Sequence, residues 1–211
     1  VFQENCWVIG NRRTGEAICI DPGDEPDEIL ALARDMGVRI KVIANSHAHI
    51  DHVLGVHGVY NATGSRFLLH HQDLDLLRDG FRMSAARFGF DPSQPPPTPD
   101  QFVEDGDVVE VEGLQLRAIG TPGHTPGSMS YYTDGLLFSG DTLFRASIGR
   151  TDMPGGDHAE EMESICNRLL TLPEETIVLP GHMEQTTVAF EKAHNPFVLE
   201  WMSRKAWEAK G

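Results

Sequence analysis

The sequence predicts a mixed α/β (α+β) fold, two β-sheets with helices packed outside them. Two observations carry this. Short apolar strand segments come in two batches, within residues 2–69 and 108–179, with amphipathic helical segments between and after them. Four of those segments also run straight into short loops that carry His or Asp beside Gly or Pro. Loops at strand ends can converge on one edge of a layered fold, so these four are expected to meet there.

Each element follows from its local pattern. Phe2 to Ile9 reads as a strand, Asn11 to Gly15 as a turn and Ala17 to Ile20 as a second strand, which together make a hairpin. Pro26 to Met36 carries Ile29, Leu30, Leu32, Ala33 and Met36 at helical spacing, and Gly37 stops it. Arg39 to Ala44 is a buried-type strand. Val53 to Ala62 reads as helix with Gly64 as its end, Arg66 to Leu69 as a strand, and Gln72 to Arg78 as a helix with an acidic face of Asp73 and Asp75. Residues 79–100 end in a proline run, Pro92 to Pro99, that cannot be helical and reads as an extended surface excursion. Strands are then expected at Val108 to Val111, Leu114 to Ile119, Met129 to Tyr132 and Leu136 to Ser139, with turns at Gly113 and Asp134-Gly135. A loop from Gly140 to Asp157 leads to an amphipathic helix, His158 to Leu172. A last strand, Thr176 to Leu179, precedes a helical tail made of Glu184 to His194 and Pro196 to Ala209. With no internal repeat and no linker, residues 1–211 read as a single domain, with residues 79–100 as an excursion and 184–211 as the tail.

Composition narrows the function. The net charge of −15 argues against nucleic acid as a partner, though bound divalent ions would reverse the local sign for a small anion. No apolar run approaches the ~18 residues that span a bilayer, so no membrane partner is expected. The three cysteines, Cys6, Cys19 and Cys166, have no CxxC or ladder spacing. They fit a reducing compartment, and no signal peptide is visible in a chain that begins at Val1. A cytoplasmic location is therefore expected.

The chemistry is concentrated in the loops. His47-Ala48-His49-Ile50-Asp51-His52 follows the strand that ends at Ala44. Thr121-Pro122-Gly123-His124-Thr125 follows Ile119, Gly140-Asp141-Thr142 follows Ser139, and Pro180-Gly181-His182 follows Leu179. Pro and Gly beside each ligand stiffen the turn and let backbone come close. Together the loops offer five His and two Asp. One ion with an open position needs three or four ligands, so seven suit two ions sharing one carboxylate. Zinc, iron and manganese all accept this set, zinc foremost. The other five histidines, His57, His70, His71, His158 and His194, read as surface or packing residues. There is no GxSxG elbow and no Cys in a ligand loop, so neither a serine nor a cysteine nucleophile is indicated.

This set, in this order, resembles the metallo-β-lactamase superfamily over almost the whole chain. The resemblance implies the four-layer αβ/βα sandwich with a dinuclear site at one edge. By motif, His47, His49 and His124 would hold one divalent ion, Asp51, His52 and His182 the other, and Asp141 would bridge them. The resemblance thereby implies Asp51 and Asp141 as the catalytic carboxylates. Asp21, in Ile20-Asp21-Pro22-Gly23, matches a position that supports the metal ligands.

Within the superfamily the chain is similar to glyoxalase II, the hydroxyacylglutathione hydrolases. The similarity rests on Thr121 to Thr125 and Gly140-Asp141-Thr142-Leu143-Phe144, with Ser147 to Asp152 and Gly155-Gly156-Asp157 as in its short, single-domain branch. That implies hydrolysis of a small-molecule acyl thioester, such as S-lactoylglutathione, by hydroxide from metal-held water. Two-domain members add a glutathione-gripping helical domain, whereas only residues 183–211 follow His182 here. Arg150 and Tyr131 fall near positions that face substrate and are substrate-binding candidates. The alternative from the same superfamily is a mononuclear-iron persulfide dioxygenase, which shares Gly149-Arg150-Thr151-Asp152. A β-lactamase is less favoured, since many carry Cys where Asp141 stands.

Overall fold

A computed structural model describes residues 2–208. The first sheet begins with β1 (Trp7–Asn11) and β2 (Glu16–Ile20), an antiparallel hairpin in which Trp7 faces Ile20. It continues in parallel through β3 (Arg39–Ala44), β4 (Arg66–Leu69) and β5 (Gln101–Phe102). The predicted first strand, Phe2 to Ile9, is shifted. Asn5 does not pair with β2 but donates its backbone N–H to the Gly181 carbonyl, 2.7 Å away, and Glu4 bridges to His182. Between these strands lie α1 (Pro26–Asp35), α2 (Ile50–Val53), α3 (Val56–Thr63) and α4 (Phe81–Phe88).

The second sheet has the order β13-β12-β9-β8-β7-β6. It comprises β6 (Val108–Val111), β7 (Leu114–Gly120), β8 (Met129–Thr133), β9 (Leu136–Gly140), β12 (Ile177–Pro180) and β13 (Thr186–Thr187). All pairs are antiparallel except β9 with β12. A two-stranded ribbon, β10 (Leu143–Phe144) with β11 (Ser147–Ile148), occupies the stretch read as loop. Helices α5 (His158–Asn167), α6 (Val188–His194) and α7 (Pro196–Glu208) follow. Ala209, the expected end of the last helix, lies outside the described residues.

Alternation along each strand sorts the side chains into layers. On β2, Ala17 and Cys19 face α1 and α3, packing with Ile29, Ala33, Val56 and Val59. Ile18 and Ile20 face the other sheet and meet Leu116, Ala118, Met129, Tyr131 and Phe138. Beyond the second sheet, Leu137 and Val178 pack on Met162, Ile165, Val188 and Trp201 of α5, α6 and α7. The layers therefore run helix, sheet, sheet, helix, the αβ/βα sandwich expected.

Four local differences have physical reasons. The proline-rich excursion contains a helix, α4, whose Phe81 and Ala85 are buried against the first layer; only the proline run after it is irregular. The helix expected over Gln72 to Arg78 is a turn of 3₁₀ helix, His71–Asp73, and a π-turn, Leu76–Gly80, and Asp73 is buried instead of solvated. The fifth helix stops early because Arg168 leaves the helical conformation at φ −120°, ψ −61°. In the tail, Glu184 to His194 is helical only from Val188, because Thr186 and Thr187 pair with β12 first.

Candidate metal centre

Because β2, β3 and β4 run parallel, Asp21, Asn45 to His52 and Asp73 leave the first sheet at one edge. In the second sheet β9 and β12 also run parallel, which brings Asp141 beside His182; Gly181 N–H donates to the Gly140 carbonyl at 2.8 Å. The two edges face each other, and the seven loop residues predicted as ligands meet between them. His47, His49 and His124 form one group, His47, His52 and Asp141 a second, and Asp51, His52 and His182 a third. Within each, one ligand atom per residue lies within 4.8 Å of the others. Asp141 sits in the middle, its Oδ1 3.4 Å from His52 Nε2 and its Oδ2 3.6 Å from both His124 Nε2 and His182 Nε2. Asp51 Oδ2 lies 3.2 Å from His182 Nε2, and His49 Nδ1 lies 2.9 Å from His124 Nε2.

The outer nitrogens are fixed by hydrogen bonds. His124 Nδ1 donates to the Arg150 carbonyl at 2.7 Å. Ser46 Oγ donates to Asp21 Oδ2 at 2.6 Å, which leaves its lone pair to accept from His47 Nδ1 at 3.0 Å. Asp21 Oδ2 also accepts from His52 Nδ1 at 3.1 Å. Each bond puts the proton on Nδ1 and leaves the Nε2 lone pair facing the centre.

These residues fit divalent ions on two counts. His47 Nε2, His52 Nε2 and Asp141 Oδ1 are buried and have no hydrogen-bond partner, a costly state that a metal would relieve. Among the described residues, moreover, no Lys or Arg pairs with Asp21, Asp51 or Asp141, although buried carboxylates require a counter-charge. Burial holds His47 well below the usual imidazole range and, with His124 and His52 beside it, takes His49 down to about 3. Burial likewise lowers His124. These three are neutral at neutral pH, the form in which an imidazole can ligate a metal. Burial opposes charge on Asp141 as well, but His52 and its other neighbours outweigh it and hold the carboxyl at about 2. Burial also works against a charged His52, yet Asp141 and Asp21 raise it well above its ordinary value. The carboxylates thus draw a proton onto the nearest imidazole, and a metal ion bound there would displace it.

Several supporting residues carried no signal in the sequence because their partners are distant in the chain. Asp73 accepts from Ala48 N–H at 2.9 Å, from Thr125 Oγ1 at 3.0 Å and from Gly127 N–H at 2.9 Å, tying the His47–His52 loop to the His124 loop. Glu161 Oε2 accepts from His124 N–H at 2.9 Å, and burial pushes its carboxyl up to about 9. Glu4 lies 3.9 Å from His52 Nδ1 and is pushed by burial up to about 10. Asn45 Nδ2 donates to the His52 carbonyl at 2.7 Å. No local pattern in the sequence marks Asn45, Glu4 or Glu161.

The two substrate-binding candidates fare differently. Arg150 lines the cavity of ≈ 440 Å³ above the centre, but its guanidinium makes a two-pronged pair with Asp152 at 2.7 and 2.9 Å. Tyr131 is corrected: β8 turns it into the core between the sheets, fully buried, where its hydroxyl donates to the Asn45 carbonyl at 2.8 Å. It supports the base of the histidine loop and does not reach the cavity. The other five histidines lie elsewhere. His57 bonds the Pro95 carbonyl, His70 and His71 share Glu104, and His158 and His194 pack on Trp201 and Phe190.

Comparison with known proteins follows the same lines. A sequence profile described as Metallo-beta-lactamase superfamily matches residues 1–182. The hydroxyacylglutathione hydrolase GloC of Haemophilus influenzae is 32% identical over 200 residues, which cover 93% of each chain. Among solved structures, the B3 metallo-beta-lactamase BLEG-1 superposes with a TM-score of 0.86 at 35% identity, covering 93% of this chain and 95% of its own. TTHA1623, solved in a di-iron-bound form, superposes with a TM-score of 0.82 at 38% identity, covering 93% and 96%.

Proposed function

The chain belongs to the metallo-β-lactamase superfamily, and from that premise we propose that it is a dinuclear metallo-hydrolase that cleaves small-molecule acyl thioesters, in the manner of the hydroxyacylglutathione hydrolases. The observation that carries this reading is the convergence of seven loop residues around buried Nε2 and Oδ1 atoms that have no other partner. The relative named as a hydroxyacylglutathione hydrolase supports the thioester, and the di-iron neighbour supports a two-ion site.

In this reading His47, His49 and His124 hold one ion and Asp51, His52 and His182 the other, with Asp141 between them. Two divalent ions there would supply a water of lowered pKa and a positive field for the developing oxyanion. The chain's own groups do the rest. Asp141, anionic well below neutral pH, lies between the two halves of the set, within 3.6 Å of His52, His124 and His182, and would offer its carboxylate to both ions. Asp51 lines the cavity; burial works against its charge, but its bond to His182 and the nearby His52 outweigh this and lower its carboxyl, so it would offer an anionic oxygen to the ion shared with His52 and His182. Asp21 keeps the His52 proton on Nδ1, leaving Nε2 free. The leaving thiolate needs no general acid, which agrees with a floor that offers none but histidines committed as ligands. The test is thiol release from S-lactoylglutathione and other acyl thioesters by metal-loaded protein. Release is expected from the wild type and its loss by at least about 100-fold from Asp141→Ala. No release from any thioester, or oxygen uptake on a persulfide with one iron per chain, would contradict the reading.

A further inference from the structure

A second cluster of metal-type side chains lies outside the centre. β4 and β5 run parallel with Leu69 opposite Phe102, so the residues that follow each strand emerge side by side. His70 and His71 follow β4, and Glu104 follows β5 after Val103. His70 Nε2 lies 3.0 Å from Glu104 Oε2, and His71 Nδ1 lies 2.8 Å from Glu104 Oε1. One ligand atom from each of the three lies within 4.8 Å of the others. His71 and Glu104 are 33 positions apart, so no local pattern joins them.

Two imidazoles converge on one carboxylate here, their rings 4.5 Å apart. If both were protonated, two like charges would oppose each other; as neutral rings they turn two nitrogens toward one point. Nitrogen and oxygen ligands at about 2.0–2.2 Å from zinc sit roughly 3.3 Å from one another. The contacts at 3.0 and 2.8 Å reach that spacing with small side-chain shifts. His70 is the most enclosed of the three, 11% exposed against 52% for each of the others. Its Nδ1 accepts only a long bond, 3.4 Å, from the N–H of exposed Gln72. The proton can therefore move to Nδ1 and leave Nε2 as a ligand, while water takes the Gln72 N–H. Phe102 meets the His71 ring edge-on, centroids 6.3 Å apart. Among the described residues no Lys or Arg pairs with Glu104. Its nearest acidic neighbour, Asp107, accepts the Glu104 N–H at 2.9 Å. Two nitrogens and a carboxylate suit zinc and its first-row neighbours, whereas calcium and magnesium prefer oxygen alone.

We propose that His70, His71 and Glu104 form a further divalent-metal site of the zinc class, completed by water, that clips the end of β4 to the end of β5. The clip closes the chain around residues 72–103, which contain α4 and the proline run and return through β5, a strand of two residues. A link that closes a long loop stabilises most. It also holds the turn His71–Asp73, from which Asp73 reaches both ligand loops. With three protein ligands, two of them half exposed, the site is weaker than the centre: it fills after the centre and empties on desalting. The proposal is independent of the thioester reading. Its test dialyses desalted, centre-loaded protein against micromolar zinc and counts bound ions. The wild type is expected to take up one ion per chain beyond the desalted count, and its thermal midpoint to rise. His71→Ala and Glu104→Gln are expected to bind that ion about tenfold more weakly or worse, with the desalted count unchanged and no rise in midpoint. Magnesium in place of zinc is expected to do neither. No extra ion in the wild type, or an extra ion held equally by both variants, overturns the proposal.

Discussion

Asp73 illustrates what a single residue can hide. In the sequence it shares a helix face with Asp75 and reads as solvated; in the fold it is buried and accepts from three donors on two ligand loops. Its partners lie 25 to 54 positions away, at Ala48, Thr125 and Gly127, so no local pattern reports it. The seven clustered His and Asp residues are legible because each sits in its own short signal: a dense histidine run, or one His or Asp beside Gly or Pro. Tyr131 fails for the opposite reason. Its place in the strand was clear, but which face of β8 it takes depends on the register with β7, where it pairs with Ala118. Asp73→Ala leaves the Ala48 and Gly127 N–H groups without an acceptor. It is expected to cost about 3 kcal/mol in urea denaturation and to lower the metal content of the purified protein. A variant with wild-type stability and full metal would remove Asp73 from its role in holding the loops.

At the scale of elements, the strands and the turns after them were readable because apolar runs of four to seven residues ending in Gly or Pro have few other meanings. Helix α4 was not, because eight residues beside a proline run give too short a period to register. The first strand begins at Trp7 and not at Phe2 because Glu4 and Asn5 pair their backbone with the His182 loop, a long-range contact that no local pattern reports. The ligand loops depend on close backbone approach, and Gly123 is the clearest case. It has φ +144°, and a Cβ there would run into the backbone of Glu161 on α5. That same residue holds the His124 N–H. Gly123→Ala is therefore expected to cost about 1–3 kcal/mol and to displace His124. A fallen thermal midpoint together with loss of thiol release is the expected result, and an unchanged midpoint with full activity would show that the loop needs no glycine.

At the scale of the molecule, the sandwich places two sheet edges face to face, and each supplies what the other lacks. The first edge brings His47, His49, Asp51, His52 and the supporting Asp21 and Asp73; the second brings His124, Asp141 and His182. Fold class, layer order and the clustering of the seven His and Asp residues are legible because they follow from periodicity and from loops at strand ends. The cavity walls were not, since Phe2, Phe88 and Met183 come from three separate segments that only the packed layers bring together. No described helix is long and apolar enough to cross a membrane. In the proposed function these two edges together hold the two divalent ions that hydrolysis requires. Stripping the protein with a chelator and titrating zinc back, while counting bound ions by elemental analysis and following thiol release, tests it most directly. Two ions per chain, with thiol release lost on stripping and restored on reloading, is the predicted result; one ion or none per chain, or thiol release that survives complete metal removal, would contradict it.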